Sequence, residues 1–139
     1  MTMIDQNFQI DFPFNDDDDL SRIICLVNSV DGDLDDIYLE QFIVVRDKNE
    51  IVGCGRLKDF DYFNEIASIA VTQKYRKRGI GEKIVEYLID VSDKPIFLLC
   101  VDENVGFFKK FGFKETETYP DELLGKIEKY KENYNILGL

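Results

Sequence analysis

The chain has 139 residues, enough for one domain with one core and too few for two ordinary domains. Apolar residues at 45% and aromatic residues at 13% provide the surface a core needs, which excludes a disordered tail. Lys plus Arg is 17 against 28 for Asp plus Glu, a net charge of −11 that repels phosphate backbones unless a local basic patch overrides it. No His is present. That removes the commonest general base and the commonest metal ligand, and with them Ser-His-Asp and Cys-His hydrolases and His-containing zinc sites.

Cys25, Cys54 and Cys100 are odd in number, form no CxxC pair and sit in apolar runs. This predicts three reduced, buried thiols. The longest apolar runs fall short of the roughly 20 residues of a membrane helix. MTMIDQNFQI lacks the basic and apolar regions of a signal peptide. The expectation is a soluble, cytoplasmic protein, one domain over residues 1–139, with no membrane or nucleic-acid partner.

Along the chain, residues 7–12 alternate Phe8, Ile10 and Phe12 with polar residues, as a strand does. Asn15 or Asp16 then caps a helix whose first turn is acidic. Its apolar face is predicted from Leu20, Ile23, Ile24 and Val27. Residues 31–36 are an acidic loop without the spacing or terminal Glu of a calcium loop. Strands are predicted over Gln41–Arg46 and Glu50–Leu57, joined by the polar turn Asp47-Lys48-Asn49, and over Asn64–Val71. A basic loop, Gln73–Arg78, leads into a helix over Gly81–Val91. Ile96–Val101 is continuously apolar, as a strand buried on both faces should be. A short helix over Asn104–Phe111 ends at Gly112, and Phe113–Thr118 reads as the last strand. After Pro120, Leu123, Ile127, Tyr130 and Tyr134 fall at helical spacing. The predicted order is β-α-βββ-α-β-α-β-α: a mixed α/β (α+β) domain with a mostly antiparallel central sheet flanked by helices.

One loop carries chemistry. Lys74, Arg76, Lys77 and Arg78 lie within five residues, the only dense positive patch in the chain. Gly79 and Gly81 follow at the start of a helix, where free N–H groups and the helix dipole make an anion site. The loop is not a P-loop, since no GxxxxGK followed by Ser or Thr occurs. It is not the dinucleotide GxGxxG either, because no third Gly falls in place.

Arg76-Lys77-Arg78-Gly79-Ile80-Gly81 fits the pattern Arg-or-Gln, any, any, Gly, any, Gly-or-Ala. It resembles the pyrophosphate-binding signature of the GNAT superfamily of acyl-CoA-dependent N-acetyltransferases. SIAVTQKY before it and GFFKKFGF at 106–113 resemble further segments of that family. The resemblance is specific over residues 50–115 and looser over 1–49. EIASIAV, the Phe pair and YPDELLGK are most similar to the N-acetylglutamate-synthase-like branch.

The resemblance implies acetyl-CoA as co-substrate, without a metal, and a small-molecule amine as acceptor. Ile69, Ala70 and Val71 would offer main-chain contacts to the pantetheine arm. The N–H groups of Arg78, Gly79, Ile80 and Gly81 would hold the pyrophosphate, with Arg76 and Lys77 adding side-chain charge. Asn104 and Phe108 would touch the coenzyme from the next helix. Glu65 resembles the carboxylate many members use as a base, often through water. The family's proton donor is commonly a Tyr at the position of Phe108, which cannot donate; Tyr62, Tyr75 and Tyr119 are the alternative hydroxyls. Cys100 as an acylated nucleophile is weaker than Cys100 as a packed thiol.

The acceptor stays open. Arg46, Arg56 and Lys58 lie on strands that border the acceptor side in the family, and Arg56 is the substrate-binding candidate; inward cations would favour an acidic acceptor, and otherwise they are solvent-facing alternates of a hairpin. The charge of −11 favours a polyamine, an aminoglycoside-like amine or a protein amine instead. Two other classes compete with the transferase: a silent acyl-CoA sensor, which would release no coenzyme, and a docking protein, which would bind none. Monomer and homodimer are both compatible with the apolar C-terminal stretch.

Overall fold

The computed structural model describes residues 8–130 and 133–139. In chain order the elements are β1 (Phe8–Asp11), α1 (Asp17–Ser29), β2 (Phe42–Asp47), β3 (Glu50–Asp59), β4 (Asn64–Val71), α2 (Ile80–Val91), β5 (Ile96–Cys100), α3 (Asp102–Lys109), β6 (Lys114–Glu115), α4 (Leu124–Tyr130) and β7 (Asn135–Gly138). The strands form one sheet in the order β1-β2-β3-β4-β5-β7-β6. Every pairing is antiparallel except β4 with β5, which the α2 crossover makes parallel. The strand expected over residues 7–12 begins at Phe8, and Asn7 lies outside the described residues.

Asp16 caps α1, its carboxylate accepting from the Asp19 N–H at 2.8 Å, and Asp17, Asp18 and Asp19 fill the first turn. Ile23, Leu26 and Val27 press onto Phe42, Val44 and Cys54 on one face of the sheet. The inward stripe therefore runs 23-26-27, one step round from the expected one. Ile24 and Cys25 point outwards, so Cys25 is exposed and only Cys54 and Cys100 are buried thiols. α2 covers the opposite face with Ile80, Ile84, Val85 and Leu88. Burying such a side chain stabilises by roughly 1.5–3 kcal/mol. Close approach of α2 depends on glycine in β3: a Cβ at Gly55 would meet Ile84 Cγ2 at 2.6 Å.

The C-terminal third departs from the sequence reading. The predicted strand over Phe113–Thr118 shrinks to the two-residue β6 at the sheet edge. Of the predicted helix, the described residues show α4 over Leu124–Tyr130, and Lys131 and Glu132 lie outside the described residues. Asn135–Gly138 is a strand, placed between β5 and β6. Two apolar side chains, Ile136 and Leu137, are too few to tell a strand from a helical turn by periodicity. The unpaired edge of β5 decides it: Leu137 faces the α2 core and is fully buried, while Ile136 packs beside Phe63 and Leu123 on the other side.

Among the described residues, no helix is long and apolar enough to cross a membrane.

Candidate active site between two splayed strands

β4 and β5 pair only at Asn64↔Ile96 and Glu65↔Phe97. Beyond that point they separate, which leaves the facing edges of both strands without a ladder partner. A bulge sharpens the divergence. Cys54 pairs with Ala70 and Arg56 with Ala67, so Ser68 and Ile69 stand opposite Gly55 alone. Ser68 holds φ +57, a strained value for a non-glycine residue. Its hydroxyl donates to the Asp33 carbonyl at 2.6 Å and accepts from Arg56 Nε at 3.1 Å.

Two cavities meet in this opening. The larger, about 670 Å³, runs from Ile69, Ala70 and Val71 past Lys77 to Gly79 and Gly81. The smaller, about 180 Å³, lies between Ala67, Leu98, Cys100, Asp33 and Lys126. Val30, Ile69, Val101, Asn104 and Phe108 line both.

The larger cavity is built mainly of backbone. After β4 the chain makes a short turn and reaches Lys77 at φ +64 and Gly79 at φ +84. At Gly79 a left-handed conformation opens α2, which glycine adopts without strain. No side chain caps α2, so its first N–H groups are unpaired within the helix and border the cavity at Ile80 and Gly81. An anion fits such a terminus. The turn is braced from outside. Tyr75 donates to Asp47 Oδ2 at 2.7 Å and meets Phe8 edge-on, with ring centroids 5.5 Å apart. The bond to Asp47 also pushes the Tyr75 phenol above its ordinary range. Arg78 lies over the Tyr75 and Phe8 rings, and its side chain does not line the cavity; Arg76 and Lys77 do. Arg76 Nε donates to the Val71 carbonyl at 3.1 Å.

The smaller cavity has a mostly apolar lining into which Asp31, Asp33 and Lys126 bring charge, and charged side chains from four elements interlock at and behind that wall. Asp33 Oδ2 accepts from Lys58 Nζ at 2.6 Å and from Lys126 Nζ at 2.8 Å. Lys126 also pairs with Glu65 Oε2, and Glu65 Oε1 lies 4.0 Å from Lys58. The four side chains thus form a ring of alternating charge. Arg56 joins it 3.4 Å from Asp33 Oδ1. Burial raises the Asp33 carboxyl, but Lys126 and Lys58 outweigh it and hold the group well below the usual carboxylate range. Burial lowers the Lys126 ammonium, but Glu65 and Asp33 outweigh it and hold the group above the usual lysine range.

Arg46, Arg56 and Lys58 are turned inwards rather than to solvent. Arg46 is taken by Asp19 at 2.7 Å. Arg56 is fully buried, with bonds to Ser68 and to the carbonyls of Asp33, Asp35 and Asp36, and it lines neither cavity. Arg56 ties down the acidic 31–36 loop through these carbonyls, and Asp33 of that loop lines the small cavity. Glu65 is 1% exposed and also lines neither cavity; Lys126, its partner, does. Phe108 packs against Phe107 and Phe113 and offers no proton. Of the alternative hydroxyls, Tyr75 is committed to Asp47, Tyr62 is 81% exposed, and Tyr119 packs at the Phe63 cluster. Burial pushes the Cys100 thiol up to about 11, which suppresses the nucleophilic thiolate.

Sequence reading missed Lys126, Asp33, Tyr130 and Tyr134 as lining residues. Lys126 left one signal: it sits between Leu123 and Ile127, the buried positions of its segment, where a lone lysine needs a partner.

The profile described as an acetyltransferase (GNAT) domain matches residues 39–115. An uncharacterized N-acetyltransferase of Chlorobaculum tepidum is 32% identical over 99 residues, covering 68% of this chain and 61% of that protein. N-acetylglutamate synthase from Neisseria gonorrhoeae, solved with coenzyme A and N-acetyl-glutamate, superposes with a TM-score of 0.80 at 20% identity, over 94% of this chain and 34% of that one. A Mycobacterium tuberculosis protein solved with CoA and NLQ gives a TM-score of 0.75 at 25% identity, over 94% and 98%. This chain thus spans about a third of the Neisseria synthase and under two thirds of the Chlorobaculum protein. With the signature loop, the splayed strands and the matched profile all in one domain, the chain belongs to the GNAT family of acetyltransferases.

Proposed function

We propose that this chain is an N-acetyltransferase that moves an acetyl group from acetyl-CoA to the primary amine of a small molecule, by direct attack with both substrates bound. One observation carries the reading: the two cavities share Ile69, Asn104 and Phe108, so donor and acceptor can be held side by side.

The residues fit the coenzyme. The unpaired N–H groups at the start of α2, with Arg76 and Lys77, suit a pyrophosphate. The free edge of β4 at Ile69, Ala70 and Val71 suits the amides of a pantetheine arm. Bound there, acetyl-CoA supplies an acyl group activated as a thioester.

Positioning is the chain's main contribution, worth on the order of 7 kcal/mol or more when two reactants are held in line. An unpaired N–H on the β4 edge would stabilise a developing oxyanion, as fixed backbone donors do. Of the carboxylates at the small cavity, Asp33 is taken by two lysines and Glu65 stands behind Lys126, while Asp31 lines the cavity outside that ring. The amine therefore enters neutral, or loses its proton to water or to Asp31. An α-amine is neutral about once in ten at pH 7, a lysine-like amine about once in 2,500. The departing thiolate, near pKa 8.5, is a fair leaving group without a donor at Phe108.

The competing reading is a domain that binds acyl-CoA without turnover, favoured by the Phe at position 108. Initial velocities with acetyl-CoA and a small-amine panel test both. Intersecting double-reciprocal lines are expected for direct attack. Parallel lines would replace it with an acylated enzyme, and coenzyme binding without release would favour the silent domain.

A further inference from the structure

We infer that Asp31 is the catalytic residue that takes the proton from the acceptor's amine, rather than Glu65, which stands behind Lys126 and lines neither cavity. This rests on the transferase reading and supplies the base of that same site. Six residues lining the small cavity carry a titratable side chain: Asp31, Asp33, Cys100, Lys126, Tyr130 and Tyr134. Five of them are unsuited. Asp33 accepts from Lys58 and Lys126, and their charge makes its carboxylate a poor proton acceptor. Lys126 is an ammonium and has no acceptor site. Cys100 keeps its proton, since burial pushes the thiol up to about 11. Tyr130 and Tyr134 bring phenols, whose O–H is already a donor.

Asp31 is left, and its place suits the role. The ion pairs of its loop run through Asp33 and Asp35, and among the described residues the Asp31 carboxylate enters none. Its neighbour Val30 lines both cavities, which sets Asp31 beside the neck where amine and thioester would meet. Backbone bonds hold it there. The Asp31 N–H donates to the Asn28 carbonyl at 3.1 Å and the Gly32 N–H to the Val27 carbonyl at 3.0 Å, so both residues are tied to the end of α1. Asp31 holds φ +54, a left-handed conformation that Asp and Asn tolerate better than most side chains. In the step, the amine nitrogen bonds to the thioester carbon, and the C–S bond breaks with its electron pair leaving on sulfur. The surplus proton on nitrogen goes to an Asp31 carboxylate oxygen. Asp31 is exposed, so water takes the proton from it and the carboxylate is restored.

Two variants remove the carboxylate without straining the turn. Asp31→Asn keeps the tolerance for the left-handed conformation, and Asp31→Gly relieves it. Each is compared with the wild type on the fastest acceptor from a panel of amino acids, spermidine and a lysine-containing peptide. Rapid-mixing single turnovers, which product release cannot mask, should slow by about 100-fold in both variants, the lower end of what a positioned base contributes. Acetyl-CoA binding and KM for the acceptor should stay near the wild-type values, because the lost interaction belongs to the transition state. Asp31→Glu keeps a carboxylate and should retain more of the rate than Asp31→Gly; a purely structural role would rank these two the other way, since glycine suits the turn better. Single-turnover rates in Asp31→Asn and Asp31→Gly equal to the wild type, a change in KM alone, or Asp31→Glu no faster than Asp31→Gly overturns the assignment. In those cases the wild type still acetylates the acceptor, whereas failure of the transferase reading leaves the wild type without acetyl transfer to any member of the panel.

Discussion

The two cavities that meet between β4 and β5 are made of different materials. The larger is shaped by backbone: an open strand edge, a glycine at φ +84 and the uncapped start of α2. The smaller has Asp33 and Lys126 in its lining, held by a ring of side-chain charge gathered from β3, β4, the 31–36 loop and α4. Backbone sites tolerate substitution at their flanks, because N–H groups belong to every residue but proline. Charge sites do not, because each member compensates another. The coenzyme end should therefore be robust except at its glycine, and the acceptor end should be fragile at every member of the ring.

The contrast breaks most readily at Glu65. Glu65→Gln removes a buried partner of Lys126, and loss of one member of a buried pair costs about 3–5 kcal/mol. Chemical denaturation should show a loss of about 3 kcal/mol, near the low end because Asp33 still holds Lys126. Adding Lys126→Met to Glu65→Gln should recover part of that loss, a coupling read by a double-mutant cycle. A Glu65→Gln protein as stable as the wild type would show that the ring is not a structural unit.

A smaller effect is expected with pH. The folded Asp33 carboxyl titrates below its unfolded value, so it contributes stability that is full above about pH 4 and falls as the pH drops through the folded value. The folded Lys126 ammonium titrates above its unfolded value, so its contribution is full below about pH 10 and is lost as the pH rises through the folded value. Thermal melts should give a plateau between these limits. Lys126→Met should flatten the alkaline edge, and an unchanged edge would remove Lys126 from the account.

The same contrast explains what was legible in the sequence. The coenzyme end reads well because its parts are consecutive. Val71 to Gly81 is one stretch, and the glycine, the cations and the helix start fall in a fixed order. The acceptor end reads badly because Asp33, Lys58, Glu65 and Lys126 are up to 93 residues apart, and no local pattern links them. Arg56 and Lys58 alternate in β3 as solvent-facing residues would, and only the 31–36 loop folding over them turns that face inwards. β7 was hidden for a related reason: its extended form depends on the free edge of β5, not on its own four residues.

The measurement that bears most directly on the site is titration of acetyl-CoA into three folded proteins: the wild type, Gly79→Asn and Gly79→Glu. Asn accepts the left-handed conformation more readily than other non-glycine residues, so it isolates backbone strain. Glu adds a carboxylate where the pyrophosphate is assigned. The account predicts binding by the wild type, modest weakening in Gly79→Asn, and a loss of about 100-fold or more in Gly79→Glu, equivalent to about 2.7 kcal/mol. No binding by a folded wild type, or equal binding by all three, would contradict it.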